Sequence, residues 1–239
     1  PLTTLNSVQN RNITLDAIRT LAIVLMVVFH FAYDLRFFGW VDWNVPNGKG
    51  WREFRYVILT LFFVSVGASL VLGNFRKFNL KMFLLRLFSI AFWAAVISLF
   101  TYYFFNANWI FFGVLHFIVV ASVLCVPLIR KPILSLLLGF VAVTLFNSGL
   151  VSSKWPFNLI SLSLPHSPND YVAIFPWIGV VLFGIAIGHV LKSGFDPVAK
   201  WNIPNKLTLL GRHSLVVYIL HQPIFFALFG TIYWLSSSV

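Results

Sequence analysis

Long apolar runs constrain this chain more than any other feature of its sequence. Several of them reach the roughly 20 residues that a helix needs to cross a hydrocarbon core about 30 Å thick. Of the 239 residues, 59% are hydrophobic and 10% are charged. Soluble domains carry about 25% charged residues. The sequence therefore predicts a polytopic membrane protein.

The runs predict an all-α transmembrane bundle of about seven helices in a single domain over residues 1–239. The expected helices are 14–38, 54–73, 81–105, 110–129, 132–148, 171–191 and 208–235. Lys and Arg accumulate in cytoplasmic loops. A cytoplasmic N-terminus and an extracytoplasmic C-terminus satisfy this rule, because they place on the cytoplasmic side Arg11, Arg19, Arg76, Lys77, Lys81, Arg86, Arg130, Lys131, Lys192, Lys200, Lys206 and Arg212. The other side keeps Arg36, Lys49, Arg52, Arg55 and Lys154.

The charge and the cysteine content exclude several classes of function. The net charge of +11 lies mostly in short loops, which indicates topology and a lipid bilayer partner, not a nucleic acid. Cys125 is the only cysteine, so no disulfide framework and no cysteine metal site are expected. The sequence has no GxSxG, HExxH or P-loop motif, and no metal is predicted. No cleavable signal peptide is evident.

The first run, "LDAIRTLAIVLMVVFHFAYDL", carries four polar residues on one helical face. With Asp16 at zero, Arg19 falls at about 300°, His30 at about 320° and Asp34 at about 0°. Buried charged groups are costly in lipid and usually face a bundle interior or a wet cavity. His30 and Asp34 are one turn apart and are expected to touch. Arg19 and His30 are separated by about 16 Å of helix.

Two interpretations of this polar face stay open at this point. In the first, Asp16 and Arg19 form an interfacial ion pair, and His30 with Asp34 locks two helices together. In the second, the face lines a polar path whose outer end carries a general base. Asp34 would then orient the imidazole of His30, which would take a proton from an acceptor.

Other polar groups are candidates for the same site. His116, His221 and Gln222 lie in apolar segments, and a membrane histidine either bonds a neighbouring helix or lines a site. Arg212 and His213 open the last helix, where an anion such as a phosphate is favoured. In "FPWIGVVLFGIAIG", Trp177 is a candidate pocket residue next to a kink expected at Pro176, and Gly184 with Gly188 has the spacing of close helix packing.

Four segments together resemble a known family. They are "LDAIRTLAIVLMVVFHFAYDL", "FGVLHFI", "FPWIGVVLFGIAIG" and "LGRHSLVVYILHQP". In this order they are similar to the bacterial branch of the heparan-α-glucosaminide N-acetyltransferase-like membrane proteins, over about residues 12 to 230. The resemblance implies a multi-pass enzyme of the bacterial inner membrane that moves an acetyl group from cytoplasmic acetyl-CoA to an extracytoplasmic amino sugar or other glycan acceptor, with a homodimer as one assembly.

The polar groups of this sequence fit the steps that the resemblance implies. Arg19, Arg212 and His213, with Asp16, would meet the phosphates of CoA, and His30 with Asp34 would act at the thioester. His116, His221, Gln222 and Trp177 would line the substrate pocket. The family's active histidine falls here at about Val41–Asp42, where this sequence has no histidine. His30 is therefore proposed on physical grounds alone.

Two other classes of function compete with the acyltransferase. A transporter or binding protein could use Asp16, Arg19, His30 and Asp34 as an anion or proton path, although paired inverted repeats with matching helix breaks are not evident. A lipid-embedded subunit of a larger complex is the third alternative, and no feature of the sequence favours it.

Overall fold

The computed structural model describes residues 12–74, 78–105, 108–159, 165, 170–201, 204 and 208–237. Every regular element in these residues is helical, as the sequence predicts. The α-helices are α1 (Ile13–Phe37), α2 (Trp51–Asn74), α3 (Leu80–Phe105), α4 (Val114–Cys125), α5 (Pro132–Asn147), α6 (Trp177–Lys192), α7 (Leu209–Arg212) and α8 (Ser214–Ser237). Short 3-10 turns occupy Val126–Leu128, Phe157–Leu159 and Pro197–Trp201.

Four helices in the described part of the chain are long and apolar enough to cross a membrane. They are α1, α3, residues Trp51–Gly73 of α2, and residues Ser214–Ser236 of α8. Helices α4, α5 and α6 are apolar but shorter. The count of seven spans and the orientation of the termini stay predictions. Part of the 149–170 loop lies outside the described residues, as do four cations used for the orientation, Arg11, Arg76, Lys77 and Lys206.

Two helix boundaries differ from expectation for reasons of backbone chemistry. The kink predicted at Pro176 is wrong, because α6 begins directly after this residue and Pro176 is its N-cap. Proline is suited to a helix start, where its missing N–H leaves no bond unmade. The last helix is interrupted at His213 (φ −105°, ψ 30°), which separates α7 from α8.

The chain divides into two compact units, 1–62 with 195–239 and 63–194. In the first unit, α1 packs against α7 and α8. Gly211 of α7 lies so close to α1 that a Cβ would meet the carbonyl of Asp16 and stand 2.6 Å from the Thr20 hydroxyl oxygen. The N–H of Gly211 donates to that hydroxyl at 3.1 Å. A glycine is therefore required for α7 to approach α1 this closely.

The start of α1 is fixed by a carboxylate from the chain segment before α7. Asp196 accepts from the backbone N–H groups of Ile13 (2.9 Å) and Thr14 (3.0 Å), and from the Thr14 hydroxyl at 2.5 Å. These donors are the free N–H groups that any helix N-terminus exposes. Partial burial acts to raise the pKa of Asp196, but the hydrogen bonds from Thr14 and Ile13 outweigh it and hold the pKa below its usual value.

In the second unit, α2 crosses α6 through glycines. A Cβ on Gly67 would meet the backbone of Val181, and would stand 2.7 Å from the amide nitrogen of Ile185. On the opposite helix, a Cβ on Gly188 would stand 2.8 Å from the Cα of Ala68. Small residues allow helix backbones to approach in membrane proteins. The structure thus agrees with the close packing predicted from the Gly184 and Gly188 spacing.

Adding a methyl group at Gly67 is expected to destabilise the protein, because the added Cβ would meet backbone atoms that cannot move aside. Overpacking of this kind costs about 1–3 kcal/mol. Gly73 on the same helix is the matched control, since a Cβ there meets nothing within 4 Å. Thermal unfolding in detergent should show a lower Tm for Gly67→Ala and an unchanged or higher Tm for Gly73→Ala. Equal Tm values for the two variants would contradict the close crossing.

Candidate active site

Four polar side chains from α1 and α8 meet in the first unit, and we name them the histidine cluster: His30, Asp34, His221 and Gln222. The imidazole rings of His30 and His221 have centroids 4.8 Å apart. The amide Nε2 of Gln222 donates to Asp34 Oδ1 at 2.8 Å. Each helix contributes two of the four residues, so the cluster exists only where α1 and α8 pack together.

The histidine cluster contains polar atoms that the described part of the chain leaves without a hydrogen-bond partner. These atoms are His30 Nδ1, Asp34 Oδ2, His221 Nε2 and Gln222 Oε1, and all four are buried. Asp34 is 0% exposed and His221 is 9% exposed. An unsatisfied buried polar group costs about 1–3 kcal/mol. Four such atoms in one place make the histidine cluster the candidate site of this unit.

The structure defines the tautomer of neutral His221. Its Nδ1 lies 2.7 Å from the carbonyl oxygen of Tyr218. Because a carbonyl oxygen only accepts, Nδ1 must carry the proton. Nε2 is then the nitrogen with the free lone pair, and it is the atom without a partner. A ring held by its Nδ1–H and open at Nε2 has the arrangement of a general base.

The expected direct contact between His30 and Asp34 is not found. The Asp34 carboxylate instead accepts from Gln222 on α8, and the neighbour of the His30 ring is His221. Residues four apart on a helix can touch, but side chains from a packed partner helix compete for them. We therefore assign the orientation of the imidazoles to α8 and not to Asp34.

A second polar group, the arginine cluster, lies near the start of α1 and contains Asp16, Arg19 and Arg212. Asp16 is 3% exposed. Its carboxylate meets Arg19 at 3.4 Å and the Nε of Arg212 at 3.6 Å. The side chain of Arg19 is 25% exposed and that of Arg212 is 28% exposed. One carboxylate thus holds two guanidinium groups that still reach solvent.

Helix α1 connects the two clusters. It is continuous from Ile13 to Phe37, so the fourteen residues from Asp16 to His30 correspond to about 21 Å of rise. The residues that meet each end of α1, Arg212 and His221, also follow one another along α7 and α8. The polar face predicted from the sequence therefore packs on α7 near Asp16 and on α8 at His30 and Asp34.

The remaining candidate residues have other surroundings. His213 is exposed at the turn between α7 and α8. In the second unit, His116 has both ring nitrogens occupied: Nε2 lies 3.1 Å from the Ser98 hydroxyl and Nδ1 accepts from the Gly113 N–H. Trp177, in the same unit, packs edge-on against Phe63. Their predicted pocket roles stay predictions.

Arg55 is a further candidate residue, which the sequence indicated only as an extracytoplasmic charge. Its Nε is buried and has no hydrogen-bond partner in the described residues. A signal was present in the sequence, since Trp51, Arg55 and Phe62 fall within about 40° of one another on a helix. A charge on an aromatic face inside a membrane span is expensive, and it is usually functional.

Comparison with known proteins gives one match. The family described as "Heparan-alpha-glucosaminide N-acetyltransferase, catalytic" matches residues 11–223, which is most of the chain. No curated protein and no solved structure matches the chain. Within the described residues no group of three or more His, Cys, Asp or Glu side chains could hold a metal ion.

Proposed function

Because this chain belongs to the heparan-alpha-glucosaminide N-acetyltransferase catalytic family, we propose that it carries the acetyl group of cytoplasmic acetyl-CoA to an amine or hydroxyl on the far side of the membrane. The family and the four long apolar helices support an acetyltransferase-type, multi-pass membrane enzyme. The donor, the class of acceptor and the bacterial inner membrane are the finer parts of the proposal.

The histidine cluster is the proposed catalytic centre. The acceptor nitrogen or oxygen attacks the thioester carbonyl, forming an N–C or O–C bond while the C–S bond breaks. His221 Nε2 takes the acceptor's proton, and the pair of imidazoles passes it to the leaving CoA thiolate. The products are the acetylated acceptor and CoA–SH. Two imidazolium ions with centroids 4.8 Å apart would repel, so the pair holds one proton at a time.

His30 and Asp34 have supporting roles in this scheme. His30 places its ring against His221 and stabilises the proton that the pair holds. Asp34 has one oxygen fixed by Gln222 and the other without a partner, and it supplies a hydrogen-bond acceptor for a substrate N–H or O–H. The scheme moves the general-base role predicted for His30 to the Nε2 atom of His221, and it leaves His30 as the partner of that ring.

The arginine cluster is the proposed donor site. The phosphates of CoA are anions, and the guanidinium groups of Arg19 and Arg212 present paired N–H donors that suit phosphate oxygens. Asp16 fixes both arginines and leaves the cluster with a net positive charge. His213, exposed at the start of α8, is the third proposed phosphate contact. The roughly 21 Å of α1 between the clusters gives the extended pantetheine arm room to reach the histidines.

The buried, unpartnered Nε2 of His221 beside His30 carries this proposal, since a purely structural pair would hold its neighbours with both nitrogens. Calorimetric titration of the purified protein in detergent with acetyl-CoA tests the donor half. Saturable micromolar binding of acetyl-CoA and CoA, with far weaker binding of ATP, is the expected result. No binding to a sample shown to be folded by its thermal transition would favour the transporter alternative.

A further inference from the structure

Arg55 lies on a face of α2 that meets α1 and α8. Trp51 and Phe54 have ring centroids 6.0 Å from that of Phe29 on α1. Two turns further on, Phe62 contacts Tyr218 of α8, with centroids 6.4 Å apart. With Trp51 at zero, Arg55 falls at about 40° and Phe62 at about 20°. Arg55 therefore shares the face of α2 that packs on α1 and α8.

The same face borders the histidine cluster. The Phe29 ring packs edge-on against the ring of the adjacent His30, with centroids 5.7 Å apart. The carbonyl of Tyr218 is the group that fixes His221. The three aromatic contacts of α2 are thus made with Phe29 and Tyr218, which neighbour the two imidazoles of the histidine cluster. Arg55 lies on α2 between the residues that make those contacts, and its Nε is buried.

Within the described residues, no carboxylate pairs with Arg55. The sequence has six acidic residues, all of them in the described part: Asp16, Asp34, Asp42, Glu53, Asp170 and Asp196. Asp34 is bound by Gln222, and Glu53 by Arg52 and the Gly50 N–H. None of the six forms an ion pair or hydrogen bond with Arg55 among these residues, and its Nε is buried. Arg55 as a whole is half-buried, and burying part of a guanidinium without a counter-charge is costly.

A lipid headgroup alone explains this arginine poorly. Arginine side chains that serve lipid phosphates bury their carbon stem and keep the charged head in water. At Arg55 part of the charged head itself, Nε, is buried. Arg52, one turn before it in the direction of the helix start, is the contrasting case, since it is exposed and paired with the equally exposed Glu53.

We propose that Arg55 binds an anionic group of the acceptor, so that the preferred acceptor is an amino sugar carrying a carboxylate or a phosphate. This inference rests on the proposed transferase function, because it names the acceptor class of the same site. Guanidinium pairs with both anions in a fork geometry. Trp43, 46% exposed and stacked at 5.9 Å on Trp51, offers an aromatic surface for the C–H face of the sugar.

Acetyl transfer to three soluble acceptors tests this proposal: glucosamine, glucosamine 6-phosphate and 2-amino-2-deoxyglucuronic acid. The protein is kept in a maltoside detergent without phospholipid, so that no lipid phosphate competes for Arg55. The wild type should show a KM for one or both anionic acceptors that is about 10- to 100-fold below that for glucosamine. Arg55→Gln should remove this preference by raising the anionic KM, with little change for glucosamine, and Arg55→Lys should restore part of it.

Arg52→Gln is the matched control, since it removes an arginine from the same helix, three positions away, that is exposed and already paired. The KM values of Arg52→Gln for all three acceptors should stay within about twofold of the wild-type values. A loss of preference equal to that of Arg55→Gln would overturn the assignment to Arg55. A wild type that uses charged and neutral acceptors equally would overturn the inference while the transferase stands, and it does so even if Arg55→Gln fails to fold.

Calorimetric binding of the same three sugars without acetyl-CoA separates this inference from the proposed function. Anionic sugars that bind the wild type, and not Arg55→Gln, support the site even if no acetyl group is transferred; the transferase proposal then fails alone. Phosphatidylglycerol is titrated in the same way. If it binds and neither anionic sugar does, Arg55 belongs to a lipid headgroup site and the inference is overturned.

Discussion

Replacing His221 by glutamine is expected to lower acetyl transfer by about 100- to 10,000-fold, the usual contribution of a general base. Glutamine keeps a hydrogen-bonding side chain of similar reach but has no basic nitrogen. The neutral His221 ring offers Nε2 because Nδ1 donates to Tyr218, so the variant removes the atom that receives the acceptor's proton. Single-turnover transfer from labelled acetyl-CoA, measured across pH, is the assay.

His30→Gln is expected to follow His221→Gln, since the two rings form one pair with centroids 4.8 Å apart. The double variant should be little worse than either single one, because residues that act as a unit are not additive. Binding of acetyl-CoA should stay within about twofold of the wild type in all three, as the arginine cluster lies about 21 Å away along α1.

His189→Gln is the matched control for these variants. His189 lies in α6, where its Nε2 bonds the carbonyl of Ile129 at 2.8 Å, a bond that a glutamine amide can also make. Transfer should change little. Unimpaired transfer by His221→Gln, or equal loss in His189→Gln, would remove the histidine pair from the mechanism.

The double variant Arg19→Gln/Arg212→Gln is expected to weaken acetyl-CoA binding by about 100-fold or more, because two charge-assisted hydrogen bonds to phosphate are lost. Each arginine side chain pairs with Asp16 and is about one quarter exposed. Calorimetry with acetyl-CoA measures the effect. Arg130→Gln, which removes an exposed cation from the predicted cytoplasmic side, should bind as the wild type does.

A phosphate-free donor makes this prediction specific. The acetyl thioester of N-acetylcysteamine carries the reactive group of acetyl-CoA without its phosphates. Transfer from this donor should be weak in the wild type and equally weak in the double variant. A double variant that loses transfer from both donors in the same proportion would show that the arginines maintain the fold and do not bind phosphate.

Periodicity and charge were enough to predict the all-helical fold class and the polar face of the first helix. The stripe of Asp16, Arg19, His30 and Asp34 follows from helix geometry, because α1 is continuous and these positions recur on one side. The GxxxG spacing likewise predicted where α6 meets another backbone at Gly188. Residue spacing along a single helix can be read directly from the sequence.

The partners of that face could not be predicted, because they depend on how helices pack. The sequence of the first helix does not indicate that Gln222 donates a hydrogen bond to Asp34. Nor does it indicate that the ring of His30 contacts His221 and not Asp34. His116 shows the same limit in the second unit, since its bonds to Ser98 and Gly113 depend on the approach of α3 to the start of α4. Arg55 was missed because the sequence shows it only as one of several cations expected on the extracytoplasmic side. Its burial depends on neighbours that the sequence does not reveal.

Transfer across a sealed bilayer tests the central claim most directly. Proteoliposomes hold an amino sugar acceptor inside, and acetyl-CoA labelled in its acetyl group is added outside. The account predicts labelled N-acetyl sugar inside the vesicles, unlabelled CoA outside, and neither product with His221→Gln. Intact acetyl-CoA inside the vesicles, or product formed only when donor and acceptor share one compartment, would contradict it.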